Sequence, residues 1–200
     1  MTVADALHVR RSCRSFIDRP LGPGILDNLI DKARRTPTAG NCQGVEFLVL
    51  EGDGVTAYWD TTLSAARRVN FPWPGLLSAP ALVIPWGLTG RYVARYAEDD
   101  KTQTGLGDSS EAWPVPYWLT DAAFAAMALQ LLVVELGLGC CFFGLFEHEE
   151  AVAKRFGVPD GARALGSIAI GYPDERAQRP SGSVDRGRRP LSGVLHRNSW

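Results

Sequence analysis

Five consecutive residues, Arg10-Arg11-Ser12-Cys13-Arg14, bring three guanidinium groups, a hydroxyl and a run of backbone N–H groups together near the start of the chain. That combination suits a phosphate or another compact anion, because guanidinium forks and hydroxyls bind anion oxygens at defined geometry. A solvated basic loop accounts for the same residues equally well. Asn41 and Gln43 flank Cys42 in a Gly-containing loop, and their amides can donate and accept toward a polar heterocycle or satisfy the loop's own backbone. Arg186, Arg188 and Arg189 form a second cationic cluster near the C-terminus, where a solvated tail is the competing reading. Five aromatic residues, Phe71, Trp73, Trp113, Tyr117 and Trp118, are candidates for stacking on a flat substrate, with core packing the alternative for each.

Other chemistries lack their residues. There is no GxxxxGK[ST] phosphate loop, no GxGxxG opening a helix after a strand, and no GxSxG nucleophile elbow. His8, His148 and His196 stand far apart without metal-ligand spacing, so no metal site is expected. The cysteines, Cys13, Cys42, Cys140 and Cys141, include no CxxC pair and read as small hydrophobes rather than redox thiols. With 21 basic against 22 acidic residues the net charge is -1, which opposes a whole-protein grip on nucleic acid or an anionic membrane. The first residues lack the basic-then-apolar order of a secretory signal, so a cytoplasmic location is expected.

The elements that must position these groups follow from periodicity and turn residues. A helix is expected over residues 4–9, capped by Thr2 with Asp5 at capping-box spacing. A second follows Pro23, with Ile25, Leu26, Leu29, Ile30 and Ala33 on one face. Strands are expected over residues 45–50, 81–86, 140–145 and 167–170, and further helices over 56–69 and 149–156. Residues 90–116 read as a long variable loop or lid with at most one helical turn. Residues 122–146 are apolar enough to raise the question of a membrane span, yet Glu135 at mid-bilayer costs about 2.5 to 3.5 kcal/mol on insertion scales. Gly137 and Gly139 also interrupt the run. A fully buried central helix, capped at Thr120 and ending at Gly137, is the better reading. At 200 residues the chain forms a single domain, 1–200, and the mix of strands and helices indicates an α+β or α/β sheet covered by helices.

The clusters and their order resemble one known family. Arg10-Arg11-Ser12-Cys13-Arg14-Ser15-Phe16 with Pro20, then Thr36-Pro37-Thr38-Ala39-Gly40-Asn41-Cys42-Gln43, then Gly139-Cys140-Cys141-Phe142-Phe143-Gly144-Leu145, and finally Gly171-Tyr172-Pro173 and Arg189-Pro190-Leu191, are similar to the motifs of nitroreductase-like FMN-dependent oxidoreductases, in a short subgroup. The resemblance implies an α+β fold with a mainly antiparallel central sheet covered by helices. It implies an intertwined homodimer with FMN at the subunit interface, and NADH or NADPH as reductant. Arg10 and Ser12, helped by Arg11, would hold the phosphate and ribityl chain, and Arg14 would face the pyrimidine edge, where a cation favours reduced flavin. Asn41 and Gln43 would hydrogen-bond the ring system, the backbone of Gly144 and Leu145 would pass beside it, and Arg188 or Arg189 would return to the phosphate. No protein side chain carries the redox step in such a scheme; the flavin does. Where the family often has Pro-Trp after the second motif, this chain has Gly44-Val45. The implied activity is ping-pong electron transfer to an aromatic acceptor such as a nitro compound or quinone. A biosynthetic flavin oxidase or dehydrogenase, and a non-catalytic flavin-storage protein, are the alternatives.

Overall fold

Every residue of Ala81–Leu88 except the last is buried, and this strand, β2, is the spine of the sheet. The computed structural model describes residues 1–179, 182 and 184–200. β1 (Val45–Glu51) lies on one side of β2, while β5 (Ser167–Gly171) and the short β4 (Ala162–Ala164) share the other, with β3 (Gly139–Phe143) beyond β5. All of these ladders are antiparallel, as the resemblance implies. Pro85 sits inside this central strand because its missing N–H falls where the partner changes: β5 pairs Ala81 to Val83, and β4 pairs Trp86 to Leu88.

Alternation along β2 builds two cores. Leu82, Ile84 and Trp86 face one side with Cys141 and Ala169, under Val55, Tyr58 and Trp59 of α3 (Asp53–Thr62) and Val152 of α7 (Glu149–Phe156). Ala81 and Val83 face the other with Cys140, Ile168 and Ile170, under Leu26, Leu29 and Ala33 of α2 (Ile25–Ala33) and Ala126, Leu129 and Val133 of α6 (Tyr117–Glu135). A sheet covered on both faces has strands that read as continuous apolar runs. Each fully buried Leu or Ile contributes roughly 1.5 to 3 kcal/mol.

The N-terminal helix α1 spans Val3–Val9, and its capping box is present: Thr2 Oγ1 accepts from the Asp5 N–H at 3.1 Å, and Asp5 accepts from the Thr2 N–H at 2.9 Å. Four expectations need correction. The helix expected over 56–69 is two helices, α3 and α4 (Ala65–Arg68), because Leu63 is extended and Ser64 starts the second. The stretch 90–116 opens with a two-turn helix, α5 (Thr89–Tyr96), which buries Tyr92 completely. The central helix starts at Tyr117 rather than after Thr120, with Pro116 at its N-cap. Nor is it fully buried in a single chain: Phe124 is 49% exposed, and Met127, Leu131 and Val134 continue an apolar strip along the same side.

α6 has the length and hydropathy of a membrane span. It nevertheless lies across β2, and Gly87 gives it room: a Cβ there would fall 2.3 Å from the Trp118 carbonyl oxygen. It also carries a buried carboxylate, Asp121. Those are the marks of a core helix.

Candidate functional site

The chain leaves α1 at Arg10 and runs extended along the free edge of β3, where Ser12 and Cys140 form a parallel bridge and the Cys13 N–H donates to the Cys140 carbonyl at 2.9 Å. Extended backbone has a period of two. Ser12 and Arg14 are therefore partly exposed on one side, while Cys13 and Ser15 turn inward; the alternation ends at Phe16, which is also buried. The segment is stitched from behind: the Phe16 N–H donates to Gly75, the Ile17 N–H to Tyr172, and the Asp174 N–H to Ser15.

An open cleft of about 690 Å³ lies over this segment. It is lined by Arg10 to Arg14, by Val134 at the C-terminal end of α6, by Gly137 to Gly139, and by Glu175, Gln178 and Arg179. Among the described residues, Arg10, Arg11, Arg14 and Arg179 have no carboxylate partner within ion-pair distance. Four such cations against the single carboxylate of Glu175 leave the cleft an excess of positive charge that suits an anion. Arg14 is held from two sides. Its N–H donates to Gln178 Oε1 at 3.2 Å, and its guanidinium lies 4.8 Å from the centroid of the Trp73 ring. Gln178 also donates to the Ser15 carbonyl at 2.6 Å and to Cys13 Sγ at 3.2 Å.

The thiols beneath the cleft are not poised for redox work. Burial pushes Cys13 and Cys141 up and raises Cys140 to about 12, although Arg10 lowers Cys140 in part, and Arg14 and Arg10 lower Cys141. A nucleophilic cysteine needs the opposite shift. All four cysteines are free.

Asn41 and Gln43 lie elsewhere. Their loop, residues 38–43, is a tight turn in which Gly40, Asn41 and Gln43 all have positive φ, at 59°, 53° and 49°. Asp121 Oδ2 accepts from the Ala39 N–H at 2.8 Å and from the Tyr92 hydroxyl at 2.9 Å. Arg95 Nε donates to the Gly40 carbonyl at 2.8 Å, and the Gln43 N–H to Thr38 Oγ1 at 3.0 Å. Gly44 is explained here: a Cβ would come 2.4 Å from the buried Tyr92 ring, so the chain departs from Pro-Trp because Tyr92 occupies that space. The side chains of Asn41 and Gln43 are exposed.

The two groups are at opposite ends of α6. Val134 borders the arginine cleft and Asp121 anchors the amide loop; between them the helix rises about 20 Å. One chain does not bring them to one small ligand.

The aromatic candidates divide the same way. Trp73 underlies Arg14, and Phe71 packs on Trp59 in the core beside Phe143. Trp113 and Trp118 are buried with Tyr92 beneath the amide loop, Trp113 donating to the Leu106 carbonyl at 2.8 Å, while Tyr117 is 42% exposed beside them. Gly144 follows β3, its Cα face covered by the Phe146 ring, and Leu145 is buried. Arg188 and Arg189 are exposed and border no described cleft; Arg189 donates to the Gly193 carbonyl. Arg179 and Gln178, which do border the cleft, went unnoticed in the sequence, as did Asp121. No cluster of three metal-ligating side chains occurs among the described residues.

The Nitroreductase family profile matches residues 7–172, a span that holds the arginine segment, the amide loop, α6 and β3. Two curated archaeal relatives share a name that pairs NADH dehydrogenase with NAD(P)H nitroreductase. The one from Methanothermobacter thermautotrophicus is 24% identical over 179 residues, 88% of this chain and 79% of its own. The one from Archaeoglobus fulgidus is 22% identical over 199 residues, 97% and 96%. Among solved structures, the FMN and NADPH-dependent nitroreductase NfnB from sphigopyxis sp. strain HMH matches over the whole of both chains with a TM-score of 0.71 at 20% identity. The structural likeness establishes the fold, and the profile goes further: the chain belongs to the Nitroreductase family.

Proposed function

We propose that this protein is an FMN-dependent oxidoreductase that accepts reducing equivalents from NADH or NADPH and passes them, by a ping-pong mechanism, to a flat aromatic acceptor such as a nitro compound or quinone. The observation that carries the reading is the set of arginines without a carboxylate partner converging on one cleft at the edge of β3, of which Arg10, Arg11 and Arg14 lie within the span matched by the family. FMN fits this cleft in charge and size: its phosphate needs cations and N–H donors, and about 690 Å³ lies in the usual range for a small-molecule site.

FMN, when bound, supplies the chemistry of taking and releasing electrons. The chain's own residues hold it in place. Arg10, Ser12 and Arg11 grip the phosphate and ribityl chain, and Arg179 takes the C-terminal cationic role that the resemblance gave to Arg188 or Arg189, since it is Arg179 that borders the cleft. Arg14, fixed by Trp73 and Gln178, presents positive charge to the ring edge that becomes electron-rich on reduction. By the resemblance the Gly144–Leu145 backbone would pass beside the ring system, although neither residue borders this cleft, and Phe71, packed on Trp59, is left to the core.

Asn41 and Gln43 reach the same flavin only from a second copy. Two features favour this homodimer: the separation of the loop from the arginine cleft along α6, and the apolar strip on that helix formed by exposed Phe124 with half-buried Met127 and Leu131. The four free cysteines fit a reducing compartment, and the reading places the enzyme in the cytoplasm.

The test is spectroscopic. Purified protein, or protein reconstituted with FMN, is expected to show flavin absorbance that bleaches rapidly on anaerobic mixing with NADH or NADPH. Protein that remains colourless after reconstitution refutes the assignment, and flavin that binds without being reduced identifies a storage protein instead.

A further inference from the structure

Asp121 is 2% exposed, on the first turns of a helix otherwise composed almost wholly of apolar residues. Burying a carboxyl group is costly unless its oxygens are satisfied. Here a single oxygen, Oδ2, accepts both the Ala39 N–H and the Tyr92 hydroxyl, tying the start of the amide loop to α6 and α5 at once. Burial drives the Tyr92 hydroxyl upward in pKa, and the neighbouring Cys42 and Asp121 add to the shift, so the ring stays a neutral donor. The loop it anchors is not one a chain adopts unaided, because two non-glycine residues, Asn41 and Gln43, are held in the left-handed region. Arg95, from the far end of α5, fixes the carbonyl between them and Ala39. The outcome is a rigid turn that presents two amides outward on a base of buried hydrogen bonds.

We infer that Asp121 is a positioning residue: through Tyr92 and the Ala39 N–H it holds the left-handed turn that aims the Asn41 and Gln43 amides at the flavin. The inference rests on the proposed function, and it goes beyond it by assigning the site's geometry to a residue that touches no ligand. Its effect is transmitted through Asn41, which distinguishes it from general support of the core.

The experiment is a double-mutant cycle read by FMN affinity, from quenching of flavin fluorescence on titrating flavin-stripped protein. Asp121→Leu removes the acceptor and is expected to weaken FMN binding about tenfold or more. Asp121→Asn is expected to stay within about threefold of the wild type, because one amide oxygen can accept both hydrogen bonds. In an Asn41→Ala background the Asp121→Leu loss should shrink to a small fraction of its size, since the group it aims is gone. Tyr92→Phe, which removes one donor and keeps the ring, is expected to reproduce the coupling with a smaller loss, and it serves as the reporter if Asp121→Leu does not fold. Losses that add fully in the double variant, or an Asp121→Leu protein that binds FMN as the wild type does, overturn the inference while leaving the proposed function intact. A wild-type protein that takes up no FMN overturns both.

Discussion

The arginine cleft and the amide loop are built on opposite physical plans. The cleft is open and cationic, its side chains unpaired and fixed mainly by strand-like backbone along β3. The amide loop is a closed turn with positive φ at three of its residues, pinned by Asp121, Tyr92 and Arg95 from below. A site for a charged phosphate needs potential more than precision, because Coulomb attraction falls off slowly. Hydrogen bonds to a ring need precision, because they weaken steeply with angle. The difference in construction matches the two ends of the proposed ligand.

The largest expected effect breaks the cleft. Arg10→Ala and Arg14→Ala each remove a charge-assisted hydrogen bond and are expected to weaken FMN binding by about 1.5 to 3 kcal/mol. A lesion in the cleft paired with one in the loop tests whether the two belong to different chains. In a mixed dimer of one Arg10→Glu chain and one Asn41→Ala chain, trans assembly concentrates both defects in one site and leaves the other with wild-type affinity. Titration with FMN should then show one tight site. Two weakened sites, with no tight one, would place both groups in the same chain and sink the dimer reading.

How much of this was legible follows from range. The capping box of Thr2 and Asp5, the apolar face of α2, and α7 over Glu149–Phe156 are local patterns, and the residues announce them. The arginine segment was visible because its groups are consecutive, and the amide loop because Asn41 and Gln43 bracket a single cysteine. Gln178 escaped notice because it meets Arg14 across 164 positions, and nothing in its neighbourhood marks it. Asp121 escaped because a lone acidic residue at the start of an apolar helix reads as a terminus favouring negative charge; only the fold brings it to Ala39 and Tyr92. The helix start was misplaced for a related reason. Thr120 is a good cap by type, but Pro116 ends the preceding chain just as well and lets Trp118 into the core.

A smaller effect separates the regions by pH. Cys140, next to the bridge that carries Ser12, is raised by burial to about 12 from an ordinary thiol value of 9.0. The folded state therefore keeps the thiol neutral while the unfolded chain ionises it. Stability from this group is complete below the unfolded value, falls as pH rises through the window between about 9 and about 12, and is lost above the upper limit. Within that window the loss is about 1.4 kcal/mol per pH unit. Urea midpoints measured from pH 8 to 10.5 should fall more steeply for the wild type than for Cys140→Ala, which starts lower but lacks the titrating group. Parallel slopes would remove Cys140 from the account.

The smallest effect sharpens the description of the cleft. Trp73 touches Arg14 through its ring face, an interaction worth about 0.5 to 1 kcal/mol at a partly exposed site. Trp73→Leu retains apolar bulk and removes the ring, so a loss of FMN affinity of about that size is expected, with thermal stability little changed. The comparison that decides it is Trp73→Leu in the Arg14→Ala background. If Trp73 acts by steadying the guanidinium, the substitution costs nothing further once the guanidinium is gone; a full additional loss would mean that the ring meets the ligand itself, as a wall of the pocket rather than a support for its charge.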